Sequence, residues 1–357
     1  MASAAMAALG AVAAADQERP AGQGFSFRTA VDLINVTVTV TDGEGRFVQG
    51  LRAEDFVLLE DGKPQAVTQF EAERVPVSLG IALDTSGSMV GDKILAAQDA
   101  LHRFLGDLLG PQDEVFLYRF DSRPKLIADW TDDRRRVAQA LGDVKPNGGT
   151  AIYDTLVEAL PRAQSGSRRK KAVVLISDGN DTSSQTRLAD VQQRIRESEV
   201  LVYAIGIDAS DPNNKRSARP AAAPSTPAPA PSGPQTIPVP SPFPGRGPLV
   251  TSAPPPRATP PASTPPASRP RNSSSSVERL NVDALRQITD DTGGRTEIIV
   301  SPRDLDPATA GIADELSRQY FLGYSTTLPR DGRWHTIEVR VKRGNYTIRA
   351  RKGFIAS

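Results

Sequence analysis

VPVSLGIALDTSGS, residues 75–88, is the stretch on which the reading of this chain turns. Its first nine residues are apolar on both faces, as expected of a central strand in a parallel sheet covered on both sides. The strand runs straight into Asp84-Thr85-Ser86-Gly87-Ser88, a short polar loop bent at a glycine. An amphipathic helix is expected over residues 93–109, where Ile94, Ala97, Leu101, Leu105 and Leu108 recur at helical spacing. Beyond it, apolar strands at 115–120, 172–176 and 200–207 alternate with helices at 134–141, 152–163 and 188–199. Strands alternating with helices imply an α/β fold, a Rossmann-like, doubly wound, mostly parallel sheet.

The alternation stops at a proline-rich stretch and then resumes, with a helix at 282–290, a strand at 296–300 and a helix at 305–320. The interruption, 210–276, therefore reads as a disordered insertion within one domain spanning 75–320. Of the 30 prolines in the 357 residues, 20 fall between Pro212 and Pro270, a composition that gives a semi-extended chain with no packed core. Between Asp211 and Ser276 seven basic side chains face one acid, a net charge of +6, which leaves −5 for the rest of a chain whose total is +1. A near-neutral average thus conceals a basic insertion and an acidic body.

The two flanks are antiparallel in character. In VDLINVTVTVT, residues 31–41, Val36, Val38 and Val40 alternate with Asn35, Thr37, Thr39 and Thr41, the pattern of a half-buried strand. Asp42-Gly43-Glu44-Gly45 follows as a turn, and the apolar run 56–59 leads into the hairpin dipeptide Asp61-Gly62. Strands at 320–324, 333–342 and 346–351 make up the exit, with turns at Asp331-Gly332 and Arg343-Gly344-Asn345. Three strands on either side are too few to bury a core alone. The expected solution is one small antiparallel β-sandwich built from 27–73 and 321–357, with the α/β domain inserted into it. Tyr320, Phe321, Tyr324 and Trp334 are expected in its core.

Composition narrows the chemistry. There is no cysteine, which excludes disulfides, zinc–thiolate sites, iron–sulfur ligation and a cysteine nucleophile. The two histidines, His102 and His335, leave little for imidazole catalysis; His102 is expected partly buried on its helix and His335 at the surface of its strand. A metal here must be hard and held by oxygen. The overall charge gives no reason to expect nucleic acid as a partner, and no later segment has the ~18 apolar residues of a membrane span. SAAMAALGAVAAAD, residues 3–16, resembles the apolar core and small-residue cleavage site of an export signal, with cleavage after Ala15. Residues 1–24 are accordingly expected to be a signal peptide or disordered, and the protein exported to the periplasm, the envelope or the outside.

The candidate site lies where ligands bind in open α/β sheets, at the carboxyl ends of the strands. Asp84, Ser86 and Ser88 alternate around the first loop and present one carboxylate and two hydroxyls to a common point, a set suited to a hard divalent cation. Asp178 ends the strand at 172–176 in Ser177-Asp178-Gly179, and parallel strands leave the sheet on the same side. Thr150, after Gly148-Gly149, offers a further hydroxyl. Asp154 and Asp181 read as solvated or capping residues, with an outer-shell role as the alternative.

DTSGS, GGT and SDG, in that order in three loops of a Rossmann-like domain, are similar to the von Willebrand factor type A domain and its metal-ion-dependent adhesion site. The resemblance covers about residues 76–320 without the insertion. It implies that Asp84, Ser86, Ser88, Thr150 and Asp178 hold Mg2+ or Mn2+, directly or through water, with Ca2+ as a further candidate. The flanks look like an acidobacterial subgroup of related proteins. The function implied is metal-dependent protein–protein binding or adhesion. Two carboxylates and three hydroxyls leave room in the ion's six-oxygen shell for water or for a glutamate or aspartate of a protein partner.

Enzymatic readings find less support. A dehalogenase-type aspartyl nucleophile wants a carboxylate where Ser86 stands. GSMVGDK, residues 87–93, is one residue short between its glycines for a phosphate-binding loop and lacks the hydroxyl residue after Lys93. No serine lies in a nucleophile elbow. The alternatives are a metal-assisted hydrolase or phosphatase at Asp84 and Asp178, and a structural assembly module with a vestigial site.

Overall fold

The computed structural model describes residues 32–208 and 280–356, so the expected signal region 1–24 and the insertion 210–276 lie outside the described residues. The described chain divides into two units, one from residues 32–75 and 318–356, the other from 76–317.

The chain enters through β1 (Asp32–Thr41), which turns Ile34, Val36, Val38 and Val40 inward. β2 (Phe56–Glu60) and β3 (Lys63–Gln65) meet at Asp61-Gly62, where both residues have positive φ, 47° and 75°, as a tight hairpin requires. β4 (Val67–Glu71) completes the entry.

The second unit begins with β5 (Val77–Asp84), buried at every position. It is followed by α1 (Asp92–Arg103), which widens into a last turn at Phe104–Leu108, then β6 (Glu114–Phe120), β7 (Pro124–Thr131) and α2 (Arg134–Gly142). Next come α3 (Ile152–Gln164), β8 (Lys170–Ser177), α4 (Leu188–Glu197) and β9 (Leu201–Ile207). After residues 209–279 the unit closes with α5 (Val282–Thr289), β10 (Thr296–Ile299) and α6 (Leu305–Arg318). The six strands are ordered β10-β9-β8-β5-β6-β7, all parallel except β7 against β6. β9 and β10 are parallel neighbours in this one sheet although residues 209–279 separate them.

Side-chain alternation along the strands feeds two cores. Val77, Leu79, Ile81 and Leu83 pack with Ile94 and Leu101 of α1, Val137 and Leu141 of α2, and Ile312 and Leu316 of α6. On the other face Phe116, Val173, Leu175 and Val202 meet Leu156 and Leu160 of α3, Val191 and Ile195 of α4, and Leu285 and Ile288 of α5. Gly80 is required on this second face: a Cβ there would lie 2.8 Å from both Cε atoms of the Phe116 ring. Because β5 connects to β6 on one side and is flanked by β8 on the other, strand order reverses between β5 and β8. The crevice at such a reversal is where an open α/β sheet binds ligands.

The exit strands are β11 (Tyr320–Thr326), β12 (Trp334–Val341), β13 (Thr347–Arg349) and β14 (Gly353–Ile355). They interleave with the entry strands in two antiparallel sheets, ordered β13-β1-β11-β4 and β14-β12-β2-β3. Each sheet draws strands from both ends of the chain, so neither flank can form one alone. Val36, Leu58, Tyr320, Leu322, Tyr324, Ile337 and Phe354 share the core between them.

Several expectations need correction. β7 and β14 are strands that the patterning did not predict, and the entry has four strands, β1 to β4, where three are expected. The helix expected over 93–109 is α-helical only to Arg103, and the strand expected over 346–351 is confined to Thr347–Arg349. Phe321 is buried but outside the sandwich core, since it points away from the face that carries Tyr320 and Leu322, and Trp334 is only half-buried. His102 is exposed, being next to rather than on the apolar stripe of α1. His335 is buried rather than at the surface: its Nδ1 lies 2.7 Å from Asp61 Oδ2 and its Nε2 3.3 Å from Asp331 Oδ1. It shares the inward face of β12 with Ile337 and Val339, and the two carboxylates satisfy its ring nitrogens there.

Candidate metal centre

Asp84 is the last residue of β5, and the chain beyond it is held tightly. The Thr85 amide donates to the Phe120 carbonyl at 2.7 Å, extending the pairing with β6 by one step. The Ser86 amide then turns back to Asp84 Oδ1 at 2.8 Å, the local bond that an aspartate offers its own backbone two residues on. A short 3-10 turn, Gly87–Met89, follows and brings the hydroxyls of Ser86 and Ser88 to 3.0 Å.

The second loop is stitched to the first through backbone. Asn147 N donates to Thr85 O at 2.8 Å and Gly87 N to Gly148 O at 2.9 Å. Gly148, at φ +75°, takes a conformation that few other residues tolerate. Thr150 is clamped to the third loop: its amide donates to Thr182 Oγ1 at 3.0 Å, and its carbonyl accepts from Thr182 N and Ser183 N.

Asp178 follows β8 and is reached directly from the first loop, Ser88 Oγ donating to Asp178 Oδ1 at 2.7 Å. Ser177, the residue before it, donates its hydroxyl to Asp84 Oδ2. The hydroxyls of Thr150 and Ser88 border Gly179 on one side, 3.7 and 3.9 Å from where a Cβ would stand. Four of the five expected residues thus form one continuous hydrogen-bonded chain, Asp84–Ser86–Ser88–Asp178, and the Thr150 hydroxyl lies on the same side of Gly179 as Ser88. Asp84, Ser86, Thr150 and Asp178 are buried, while Ser88 is exposed at the mouth. Burial pushes the Asp84 carboxyl up to about 6, against the pull of the Ser177 and Ser86 hydrogen bonds, and the charge of Asp178 adds to the rise.

Sequence reasoning missed one member of the site. The ammonium of Lys93, in the first turn of α1, donates to Asp178 Oδ2 and also to the Ser88 carbonyl at 3.2 Å. Its only signal in the sequence is proximity to DTSGS, in a segment that resembles a phosphate-binding loop without completing one. Asp154 and Asp181 serve the loops rather than the cluster. Asp181 caps α3 by accepting from Tyr153 N and ties down Ser184, while Asp154 accepts from the amides of Gln185 and Thr186.

The donor set fits a hard cation. Two buried carboxylates face a single ammonium, and the remaining partners of Asp84 are neutral, so the cluster keeps an uncompensated negative charge in a low-dielectric setting. Among the described residues no group of three or more His, Cys, Asp or Glu is arranged to hold a metal. An ion at this centre would therefore depend on hydroxyls as much as on carboxylates, which favours Mg2+, Mn2+ or Ca2+ over thiophilic metals.

Residues 79–180 match the von Willebrand factor type A domain. The matched residues run from β5 past Asp178 and so include all three loops. Similar proteins include the inter-alpha-trypsin inhibitor heavy chain H4 of Sus scrofa, 28% identical over 134 residues, 35% of this chain and 14% of that protein. Heavy chain H2 of Mesocricetus auratus is 25% identical over 195 residues, 48% of this chain and 20% of that protein. The similarity thus spans a minor part of these relatives' length. Solved structures of similar fold include a von Willebrand factor type A protein from Catenulispora acidiphila, with TM-score 0.45 and 14% identity over 92% of this chain and 75% of that one. Another is proximal thread matrix protein 1 of the mussel byssus with a zinc-occupied MIDAS motif, with TM-score 0.46 and 12% identity over 72% of this chain and 50% of that one.

Proposed function

We propose that the α/β unit is a divalent-cation-dependent protein-binding module, with Asp84, Ser86, Ser88, Thr150 and Asp178 as the residues that hold the ion. The observation that carries this reading is the hydrogen-bonded chain from Asp84 to Asp178 at the strand-order reversal, with Ser88 exposed at its mouth. Mg2+ or Mn2+ supplies positive charge and an open coordination position there, and a glutamate or aspartate of a partner protein is the matching ligand. Burial of Asp84 and Asp178 excludes water from the inner side, so the centre opens only outward. The similarity to the inter-alpha-trypsin inhibitor heavy chains supports an interaction role over a catalytic one.

Among the described residues no helix is long and apolar enough to cross a membrane. Separately, the signal-like residues 3–16 support an exported protein whose partner is met in the periplasm or outside the cell. The test is a pull-down from native envelope extract with and without chelator, using wild type and Asp84→Ala. Partner capture lost on chelation and in the variant is the expected result. Capture indifferent to both, or phosphate-ester turnover lost in Asp84→Ala, would overturn the binding reading.

A further inference from the structure

Lys93 puts a cation of the chain's own on the carboxylate that the proposed ion needs. Asp178 has no exposed side-chain surface, and both of its oxygens are engaged from within the chain, Oδ1 by Ser88 Oγ and Oδ2 by Lys93 Nζ. A divalent ion drawing on Asp178 must take one of these positions. The Ser88 hydroxyl can turn and offer the ion its oxygen, since a hydroxyl both donates and accepts. An ammonium has three donors and no acceptor, so it can only withdraw or remain as a like charge at contact distance. Withdrawal is open to it. The Lys93 side chain is 23% exposed, and its flexible four-carbon stem leaves from the first turn of α1 at the rim of the cluster.

We infer that Lys93 is a tethered counter-cation that competes with the divalent ion for Asp178 and thereby sets the metal affinity of the site. This rests on the metal-binding reading above. The lysine and the metal are alternatives at one oxygen: the ammonium neutralises a buried carboxylate that would otherwise be costly to fold around, and metal binding has to displace it. The same contact that stabilises the chain thus weakens its hold on the ion.

The experiment is calorimetric titration of the full chain with MnCl2, together with thermal unfolding in chelator and in Mg2+, for wild type, Lys93→Met, Lys93→Arg and Asp84→Asn. Lys93→Met removes the charge at nearly constant volume. It is expected to tighten Mn2+ binding about tenfold or more, the order expected for removing one hydrogen-bonded charge contact. It is also expected to melt below wild type in chelator and to gain more from Mg2+ than wild type gains. Lys93→Arg keeps the charge and should bind as weakly as wild type. Lys93→Met binding Mn2+ no tighter than a wild type that does bind overturns the competition alone, and weaker binding would make the lysine an organiser of Asp178 instead. No binding in any of the four, or undiminished binding in Asp84→Asn, overturns the metal reading and the competition with it.

Discussion

Ser88 and Asp178 stand 90 residues apart in the chain, yet the Ser88 hydroxyl donates to Asp178 Oδ1 at 2.7 Å. That bond joins the loop after β5 to the loop after β8 across the strand-order reversal, and every other member of the cluster is arranged around it. Ser88→Ala removes both the bond and an oxygen donor. The bond belongs to the metal-free site and is exchanged for the ion, so the lost oxygen donor decides the outcome: Mn2+ affinity should fall about tenfold or more with an unchanged far-UV circular dichroism spectrum. Titration calorimetry on the folded variant checks this, and wild-type affinity would remove Ser88 from the site.

Asp84 is a buried carboxylate pushed up to about 6 chiefly by desolvation. In Asp84→Asn the amide oxygen can still accept from Ser86 N, and the amide nitrogen can donate to Ser177 Oγ, without a charge to desolvate. The variant should therefore melt at or above the wild-type temperature in chelator while losing any shift on adding Mg2+. Differential scanning fluorimetry in both conditions reads this, and a retained Mg2+ shift would place the ion elsewhere.

In the sandwich unit, Asp61 and, to a lesser degree, Asp331 hold the His335 imidazole above its ordinary value of 6.5, against the opposing effect of burial. The His335 contribution to stability is then complete below about 6.5 and is lost as pH rises through the raised folded value. Asp61 is lowered mainly by its bond from His335, and Asp331 mainly by the Arg333 amide, so their contributions are lost as pH falls through values below 3.8. The hairpin should be firmest between about pH 4 and 6.5. Amide hydrogen exchange at Thr336, whose N–H donates to Asp61 Oδ1 at 2.8 Å, should lose protection as pH rises above about 6.5, beyond the intrinsic pH effect. His335→Gln should abolish that extra dependence.

Gly80 lies in the middle of β5 with the Phe116 ring against its α-carbon, so Gly80→Ala forces the ring aside. Overpacking of this kind costs about 1–3 kcal/mol. Urea unfolding should show that loss, and Phe116→Leu in the same chain should recover part of it. Full additivity of the two substitutions would mean that the ring is not what Gly80 accommodates.

Much of this architecture was legible in the residues themselves. β5, β8 and β9 announce themselves as apolar runs because a strand covered on both faces has no water-facing positions to mark. β7 did not, because Pro124–Thr131 is an antiparallel edge strand with Lys125 and Asp129 among its side chains, and only Ala128 is fully buried. β14 is three residues long, too short for any period to show. His335 is legible in part: alternation along β12 puts it on the inward face with Ile337 and Val339, whereas its partners Asp61 and Asp331 come from separate turns that alternation does not register.

The sequence by itself determined the alternation of strands and helices, the carboxyl-end placement of Asp84 and Asp178, and the pairing of the two flanks into one sandwich. These follow from periodicity and from the need of each apolar face to be covered, and both are local or compositional properties. Only the tertiary structure decided which atoms meet: the Ser88 bond to Asp178, the Ser177 bond to Asp84, and above all the ammonium of Lys93 on Asp178. Spacing along a chain carries no record of the directions in which side chains leave separate strands. Those directions emerge only when the parallel sheet has set β5 beside β8 and drawn the first turn of α1 over their ends.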